Sequence, residues 1–474
     1  MTSPSRLVVI SNRIADDRPP AGGLVFALHD FLTKRGGIWV GAAADPLDVP
    51  SKALRELKRG AYRRFTFDYT AEDHAAFYSG YSNSILWPLC HRRTDLMEFD
   101  ASFAPGYRAV NARVARQLLD ILEPDDVIWV HDYHFLPLAQ ELRKLRCRNR
   151  IGFFLHIPFP GATDLSALSE VQEFAQWLGQ YDVVGLQAQR DVRECLSALR
   201  SFADAEILSN AKVSVAGREV DVRSFPIGID VDDMRDTALK HQDRTPVRLE
   251  HQEKLIIGVD RLDYSKGLVH KFEGFRTYLD QRGEQDPKAT LLQIAPPSRA
   301  EVVAYQDIRS QLENVAGATN GTHGELNWTP IRYLCRGFDR EVLAGLYRQA
   351  DVALVTPLID GMNLVAKEFV ASQDPDDPGV LVLSSMTGAA EAMQAALQVN
   401  PYDPSDIAEA LRIALTMPLA DRKARHQELI DIIESSDIAK WSEDFLTALT
   451  QPLAWPQRAH RDLVLDDLSA FMAK

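Results

Sequence analysis

Eight short apolar runs punctuate the chain, at residues 7–10, 127–130, 151–155, 183–186, 255–259, 291–294, 352–355 and 380–383. Most are continuous and rich in β-branched residues rather than alternating, the pattern of strands buried on both faces of a parallel sheet. Stretches of helical periodicity such as 111–122 and 405–417 alternate with them, so the chain reads as a doubly wound α/β protein. The alternation breaks near Pro226-Ile227-Gly228-Ile229-Asp230, and a polar stretch with no strand signal follows as far as Glu253. The expected division is a first domain over 1–230 and a second over 231–454. Beyond Trp455-Pro456, apolar positions at Leu463, Leu465, Leu468 and Phe471 predict a final helix over 455–474.

The length of 474 residues exceeds what one core usually fills and agrees with two domains of about 200 residues each. A net charge of −14 argues against nucleic acid and anionic membranes as partners. No apolar stretch approaches the roughly 20 residues that span a bilayer, and the first apolar run is too short for a signal-peptide core. The cysteines, Cys90, Cys147, Cys195 and Cys335, form no C-x-x-C pair. Reduced thiols in the cytoplasm, without a metal framework, are therefore expected.

In open parallel sheets, ligands bind beyond the carboxyl ends of the strands, and here those ends are polar. Run 7–10 leads into Ser11-Asn12-Arg13, run 127–130 into His131-Asp132-Tyr133-His134, run 151–155 into His156 and run 183–186 into Gln187. In the second half, run 255–259 leads into Asp260-Arg261-Leu262-Asp263-Tyr264-Ser265-Lys266-Gly267, run 291–294 towards Arg299 and run 352–355 towards Asp360. Two such edges facing one another define a cleft, the ordinary place for a substrate. Arg13, Arg261, Lys266 and Arg299 bring four cations to it. Guanidinium forks and a mobile ammonium suit a ligand carrying more than one phosphate, whereas salt bridging to neighbours such as Asp263 is the plainer use of any one of them. Gly22-Gly23 precedes a helical stretch and would let the backbone approach a phosphate, although a simple helix-entry turn is the commoner meaning of such a pair.

Segment 354–368 carries the densest signal. An apolar run ends in Pro357, passes Asp360 and Gly361, and opens into a helix-forming stretch. That is a strand, a tight loop and a helix N-terminus whose N–H groups face whatever lies above. Asp360 is an acceptor for hydroxyls on the loop, and Glu368 falls about one turn into the helix. Other motifs carry less. Asp230-Val231-Asp232 matches a cation-binding D-x-D pattern but sits at the domain junction, where a solvated turn is expected. His131-x-x-His134 has metal-ligand spacing without a third ligand, so a hydrogen-bonding loop is expected instead. Neither a G-x-G-x-x-G nor a P-loop pattern occurs.

Taken in order, these segments resemble the trehalose-6-phosphate synthases. Ser11-Asn12-Arg13, Gly22-Gly23-Leu24, Leu86-Trp87-Pro88, Trp129-Val130-His131-Asp132-Tyr133-His134 and Phe154-Leu155-His156-Ile157-Pro158-Phe159-Pro160 carry the likeness in the first half. Arg261-Leu262-Asp263-Tyr264-Ser265-Lys266-Gly267, Gln293-Ile294-Ala295-Pro296 with Ser298-Arg299, and Asp360 to Glu368 carry it in the second. The resemblance implies two Rossmann-like domains facing across a cleft (the GT-B fold), with the 455–474 helix returning to the first domain. It implies a retaining glycosyltransferase that moves glucose from UDP-, GDP- or ADP-glucose to glucose 6-phosphate, with no cofactor and no metal. Carried over by position, Arg13, Tyr78, Asp132 and Arg299 would hold the sugar phosphate. Gly22, Gly23, Arg261 and Lys266 would hold the donor diphosphate, with Phe338 bordering the base. Asp360, Met362, Asn363, Leu364, Val365 and His156 would meet the transferred glucose, Ala366 and Lys367 would continue the donor-binding run, and Glu368 would meet the ribose. Trp87 and His156 lie where the family controls the anomeric outcome.

One departure stands out: after Ile38-Trp39-Val40-Gly41 the family usually has a second Trp, whereas this chain has Ala42-Ala43-Ala44. It predicts an acceptor side that is wider or differently shaped. Trp39 itself has the commoner alternative of plain core. A homo-oligomer, and a separate phosphatase acting on the product, complete what the resemblance implies. Two readings compete with it: transfer to another phosphorylated acceptor such as glycerol 3-phosphate, and a silent sugar-phosphate sensor.

Overall fold

The computed structural model describes residues 5–15, 23–58, 60–209, 211–244, 247–250, 252–297 and 303–450. Among these, ten strands form one sheet and six form another. The first contains β1 (Leu7–Ile10), β2 (Ile38–Ala42), β3 (Arg55–Glu56), β4 (Arg63–Phe67), β5 (Val127–His131), β6 (Arg150–Phe154), β7 (Val183–Leu186), β8 (Glu206–Ser209), β9 (Lys212–Val215) and β10 (Arg218–Ser224), in the order β3-β4-β2-β1-β5-β6-β7-β10-β9-β8. Its centre is parallel, and β3, β8 and β9 add antiparallel pairings towards the edges. The second contains β11 (Lys254–Val259), β12 (Ala289–Ile294), β13 (Ile331–Leu334), β14 (Val352–Val355), β15 (Val380–Ser384) and β16 (Leu397–Val399), all parallel, in the order β13-β12-β11-β14-β15-β16. The expected α/β architecture, two doubly wound parallel sheets, is the observed one.

All eight sequence-predicted strands are present, and each lies inside its sheet. The predicted 111–122 helix runs from Phe103 to Leu119. It starts earlier because Pro105 occupies the first turn, where its missing N–H costs nothing. The 405–417 helix is Pro404–Thr416, capped by Asp403, whose carboxylate accepts from Ser405 N. The polar stretch before Glu253 holds no strand but does hold the helix Val231–His241.

Two crossings join the sheets. The segment after β10 runs through residues 225–230 into the helix Val231–His241, and the chain returns where Ile438 N donates to Ile229 O (3.3 Å). Helix Ile438–Thr450 then packs on the first sheet. Its Phe445 is fully buried, stacks on Trp129 with centroids 4.7 Å apart, and lies over Gly152 and Gly185, where a side chain would leave no room for the ring. This helix is upstream of the 455–474 segment expected to return, which lies outside the described residues. Phe445→Ala should destabilise the protein by about 3–5 kcal/mol, since the glycine bed cannot collapse into the cavity. Urea denaturation checks this, and a loss below about 1 kcal/mol would mean the helix contributes little.

Candidate active site

In each sheet the strand order reverses beside the first strand: β1 lies between β2 and β5, and β11 between β12 and β14. Ligands of doubly wound sheets bind at such switch points. The first switch point presents Arg13 after β1 and Asp132 after β5; the second presents Arg261 and Lys266 after β11 and Asp360 after β14. The two sets face each other.

On the second sheet, the loop after β11 is braced internally. Asp263 is buried and accepts from Ser265 N (3.0 Å), Ser265 Oγ (2.8 Å) and the Tyr305 hydroxyl (2.9 Å). Gly267 closes the loop in the left-handed region (φ 62°), and a Cβ there would overlap Thr356 O. Leu358 N donates to Ser265 O (2.8 Å), tying this loop to the one after β14. Lys266 Nζ consequently donates to Asp360 Oδ2 at 2.5 Å, and Asn363 Nδ2 donates to the same oxygen at 3.1 Å. Burial alone would raise the Asp360 carboxyl, but the Lys266 charge outweighs it and holds the group below the ordinary carboxylate range. Asn363 adopts φ 84° and caps the helix Leu364–Ser372 by accepting from Ala366 N (3.1 Å). Met362 is buried, while Leu364 and Val365 open the helix with their N–H groups pointing off its end. Glu368 is half-buried one turn on, and desolvation raises its carboxyl. Lys367 is buried on the helix's other side, donates to Ile227 O (2.7 Å), and is pushed down to about 8 by burial. Phe338 is partly buried with the Arg336 guanidinium 4.7 Å from its ring centre.

On the first sheet, Tyr78 is carried by an unusual element, a π-helix from His74 to Leu86. Such wide turns concentrate at functional sites. This one is buttressed by Asn83, whose Nδ2 donates to Tyr78 O (2.8 Å). The short helix that follows opens on Trp87, which is buried, and the Arg261 guanidinium from the opposite sheet lies 5.2 Å from its ring centre. His91 Nδ1 donates to Trp87 O (2.7 Å), and burial pushes the imidazole down to about 4. Arg13 is exposed on the rim of a cavity of about 880 Å³ that Tyr78, His74, Arg55 and the Ala42–Ala43–Ala44 stretch also line. Trp39 has no exposed surface, and its Nε1 donates to Ser11 Oγ (2.8 Å), the core role.

Asp132 is held at φ 73°, ψ 165°, a region ordinarily occupied only by glycine. Its N–H donates to Phe154 O (2.8 Å) and its carboxylate accepts from His156 N (3.3 Å), so pairing on both sides fixes the strained peptide. Asp132→Gly should accordingly be more stable than Asp132→Ala by about 1–3 kcal/mol, against the usual preference for Ala. Denaturation midpoints of the two variants measure it; Ala equal to or above Gly would show that the strain is illusory. His131 Nδ1 and His156 Nε2 lie 3.0 Å apart, and burial drives both rings towards the neutral form, His156 down to about 3. His134 stacks on Tyr78 and Tyr133. Asp230 caps the helix Val231–His241 by accepting from Asp233 N, and Asp232 is exposed. Among the described residues no group of three His, Cys, Asp or Glu side chains converges as a cation site.

The structure therefore brings Arg13, Tyr78, Trp87, Asp132 and His156 to one wall and Arg261, Lys266, Phe338, Asp360, Met362, Asn363, Leu364, Val365 and Glu368 to the other, whereas the side chains of Ala366 and Lys367 are buried, Lys367 on Ile227 O. Gly23 opens the helix Gly23–Arg35. Gly22 and Arg299 lie outside the described residues. Two contacts between the walls had no signal in the sequence. Arg190 Nη2 donates to Asp360 O (2.6 Å), and the Glu391 carboxylate accepts from the N–H groups of Gln189 and Arg190, capping the helix Gln189–Phe202 from the other sheet.

The profile of glycosyltransferase family 20 matches residues 8–451. A trehalose-6-phosphate synthase of Klebsiella pneumoniae subsp. pneumoniae is 44% identical over 451 residues, covering 94% of this chain and 95% of the relative. An α,α-trehalose-phosphate synthase (UDP-forming) from Burkholderia xenovorans, solved in complex with glucose-6-phosphate, is 43% identical with a TM-score of 0.89, covering 94% of this chain and 100% of that one. An E. coli structure bound with UDP-2-fluoro glucose is likewise 43% identical with a TM-score of 0.89, over 94% and 99% of the two chains.

Proposed function

The chain belongs to glycosyltransferase family 20, and on that premise we propose that it transfers glucose from UDP-glucose to the anomeric hydroxyl of glucose 6-phosphate, with retention, giving α,α-trehalose 6-phosphate and UDP. The observation that carries this reading is the facing of the two switch points, Lys266 paired with Asp360 on one side and Arg13 beside Tyr78 on the other. Solved relatives that hold glucose-6-phosphate and UDP-2-fluoro glucose support the same pair of substrates.

Cleavage of the glucosyl–phosphate bond places negative charge on the departing diphosphate. Arg261 and Lys266 meet that charge as it develops, and preorganised charge of this kind stabilises the transition state more than the ground state. Asp360 is poorly suited to attack the anomeric carbon, because one carboxylate oxygen is taken by both Lys266 and Asn363. Its role is to orient the glucose hydroxyls and Lys266. Retention then follows from substitution on one face: the C1–O bond to UDP breaks, the bond to the acceptor oxygen forms, and the acceptor's proton passes to the departing phosphate oxygen. Arg13, Tyr78 and Asp132, with Arg299, hold the acceptor's phosphate and hydroxyls, and Glu368 meets the donor ribose. The positive charge supplied by the chain lets the reaction run without a divalent ion. The product keeps its phosphate, so release of free trehalose needs a phosphatase acting afterwards. The cytoplasm is the fitting compartment, since both substrates are phosphorylated metabolites and the four cysteines are free.

Incubation of the purified protein with UDP-glucose and glucose 6-phosphate in EDTA tests donor, acceptor and metal independence at once. Equimolar UDP and a disaccharide phosphate, yielding non-reducing trehalose after phosphatase treatment, is the expected result. Glycerol 3-phosphate consumed in preference to glucose 6-phosphate would reassign the acceptor, and binding without turnover of any donor would leave a sensor. Covalent glucose on Asp360, found by mass spectrometry of quenched enzyme, would overturn the single-face mechanism.

A further inference from the structure

The His156 side chain is reached from both sheets by a string of hydrogen bonds. Gln187, at the end of β7, is 2% exposed. Its Oε1 accepts from Ile227 N at 3.0 Å, which fixes the amide so that Nε2 faces His156 Nδ1 at 3.5 Å. An N–H directed at Nδ1 calls for a lone pair there, an arrangement that favours the His156 proton on Nε2. His131 Nδ1 lies 3.0 Å from His156 Nε2, placed to accept that proton. Ile227, whose N–H sets the amide, belongs to the segment crossing between the sheets. Its carbonyl is in turn held by Lys367 Nζ at 2.7 Å, from the helix that starts immediately after the Asp360 loop. Ile227 and Lys367 are buried at 2% and 4% exposure, so neither bond is exchanged readily with water. Gly228 next in the chain packs so closely on the Ser436 and Asp437 backbone that the crossing segment has little freedom to shift.

We propose that Gln187 and Lys367 are positioning residues that hold the Ile227 backbone at both ends, Gln187 at its N–H and Lys367 at its carbonyl, keeping His156 in one tautomer and one orientation relative to the Asp360 loop. Neither residue touches the reacting atoms. Lys367 registers the donor helix against the crossing segment, and Gln187 passes that register to the imidazole. This rests on the proposed function only for the rate arm of its test; the tautomer is a property of the resting protein.

The tautomer is read by nitrogen NMR of protein labelled with 15N-histidine, the His156 signals being assigned from a His156→Gln sample. The wild-type protein should show His156 protonated on Nε2. Gln187→Glu keeps an acceptor for Ile227 N but turns a carboxylate oxygen towards Nδ1, and should move the proton to Nδ1. In turnover, Gln187→Glu and Lys367→Met should each lower kcat about tenfold or more, with the KM for both substrates within about threefold of wild type. Wild-type His156 protonated on Nδ1 would overturn the proposal whether or not the variants fold. So would raised KM values at unchanged kcat. A protein inactive on every donor but showing the Nε2 tautomer and its reversal by Gln187→Glu would refute the reaction and leave the clamp standing.

Discussion

Arg261→Ala is expected to cut kcat by about 10²–10³, the loss that follows removal of one preorganised group from a developing negative charge. The guanidinium lies at the second switch point, exposed to the cleft, with the opposite wall's Trp87 ring 5.2 Å away. Its contact with Trp87 orients it without neutralising it. The fold should survive, because exposed loop substitutions seldom shift stability by more than about 0.5 kcal/mol. Arg261→Lys should recover only part of the rate, since an ammonium has no fork to span two phosphate oxygens. UDP release at saturating substrates gives kcat, and UDP titration gives the ground-state term. A variant with normal kcat and a raised KM for UDP-glucose would mean that Arg261 binds donor and transition state equally, and charge stabilisation would then fall to Lys266 alone.

The parts of this site that the sequence announced are those attached to the most buried strands. β1, β5, β6 and β7 in the first sheet and β11, β12, β14 and β15 in the second are covered on both faces, so burial writes them as unbroken apolar runs. The residues after them, Arg13, Asp132, His156, Arg261 and Asp360, were therefore legible as strand-end chemistry. β10 is one the pattern hides: Arg218 to Ser224 is mostly polar, since only its middle is buried. β2 is buried but holds Gly41 and Trp39, a composition that reads as turn or core as readily as strand. Conformations forced by tertiary contacts leave no local trace either. Nothing in His74–Leu86 specifies π-helical turns, and Asp132 is not a residue one assigns to φ 73°. Contacts across the cleft were invisible for the same reason: Glu391 and Gln189 are 202 residues apart. Gln187 was seen as a polar strand end, but its role depends on Ile227 lying beside it. The placements expected for Gly22, Arg299 and 455–474 fall outside the described residues.

Gly361→Ala should have the other large effect. Gly361 sits where the two walls touch, with the His156 carbonyl oxygen of the first wall against the place its Cβ would occupy, and Gly388 packed against its own carbonyl. Both neighbours are backbone, so no side chain can swing aside. The added methyl must push the Asp360 loop away from His156 by about 1 Å, a displacement that costs on the order of 10² in rate when reacting groups are held on opposite walls. The proposed nucleotide contacts lie mainly on the second wall and the proposed sugar-phosphate contacts mainly on the first, so affinities for UDP and glucose 6-phosphate measured one at a time should stay within about threefold. A looser junction also admits water, and hydrolysis of UDP-glucose relative to transfer should rise. The same steric argument ties this variant to Arg190, whose bond to Asp360 O spans the same gap and should lengthen with it. Arg190→Ala should thus reproduce the rise in hydrolysis with a smaller loss of rate. If Gly361→Ala turned over at the wild-type rate with unchanged hydrolysis, the close approach of the walls would belong to the resting protein alone, and transfer would proceed from a more open cleft.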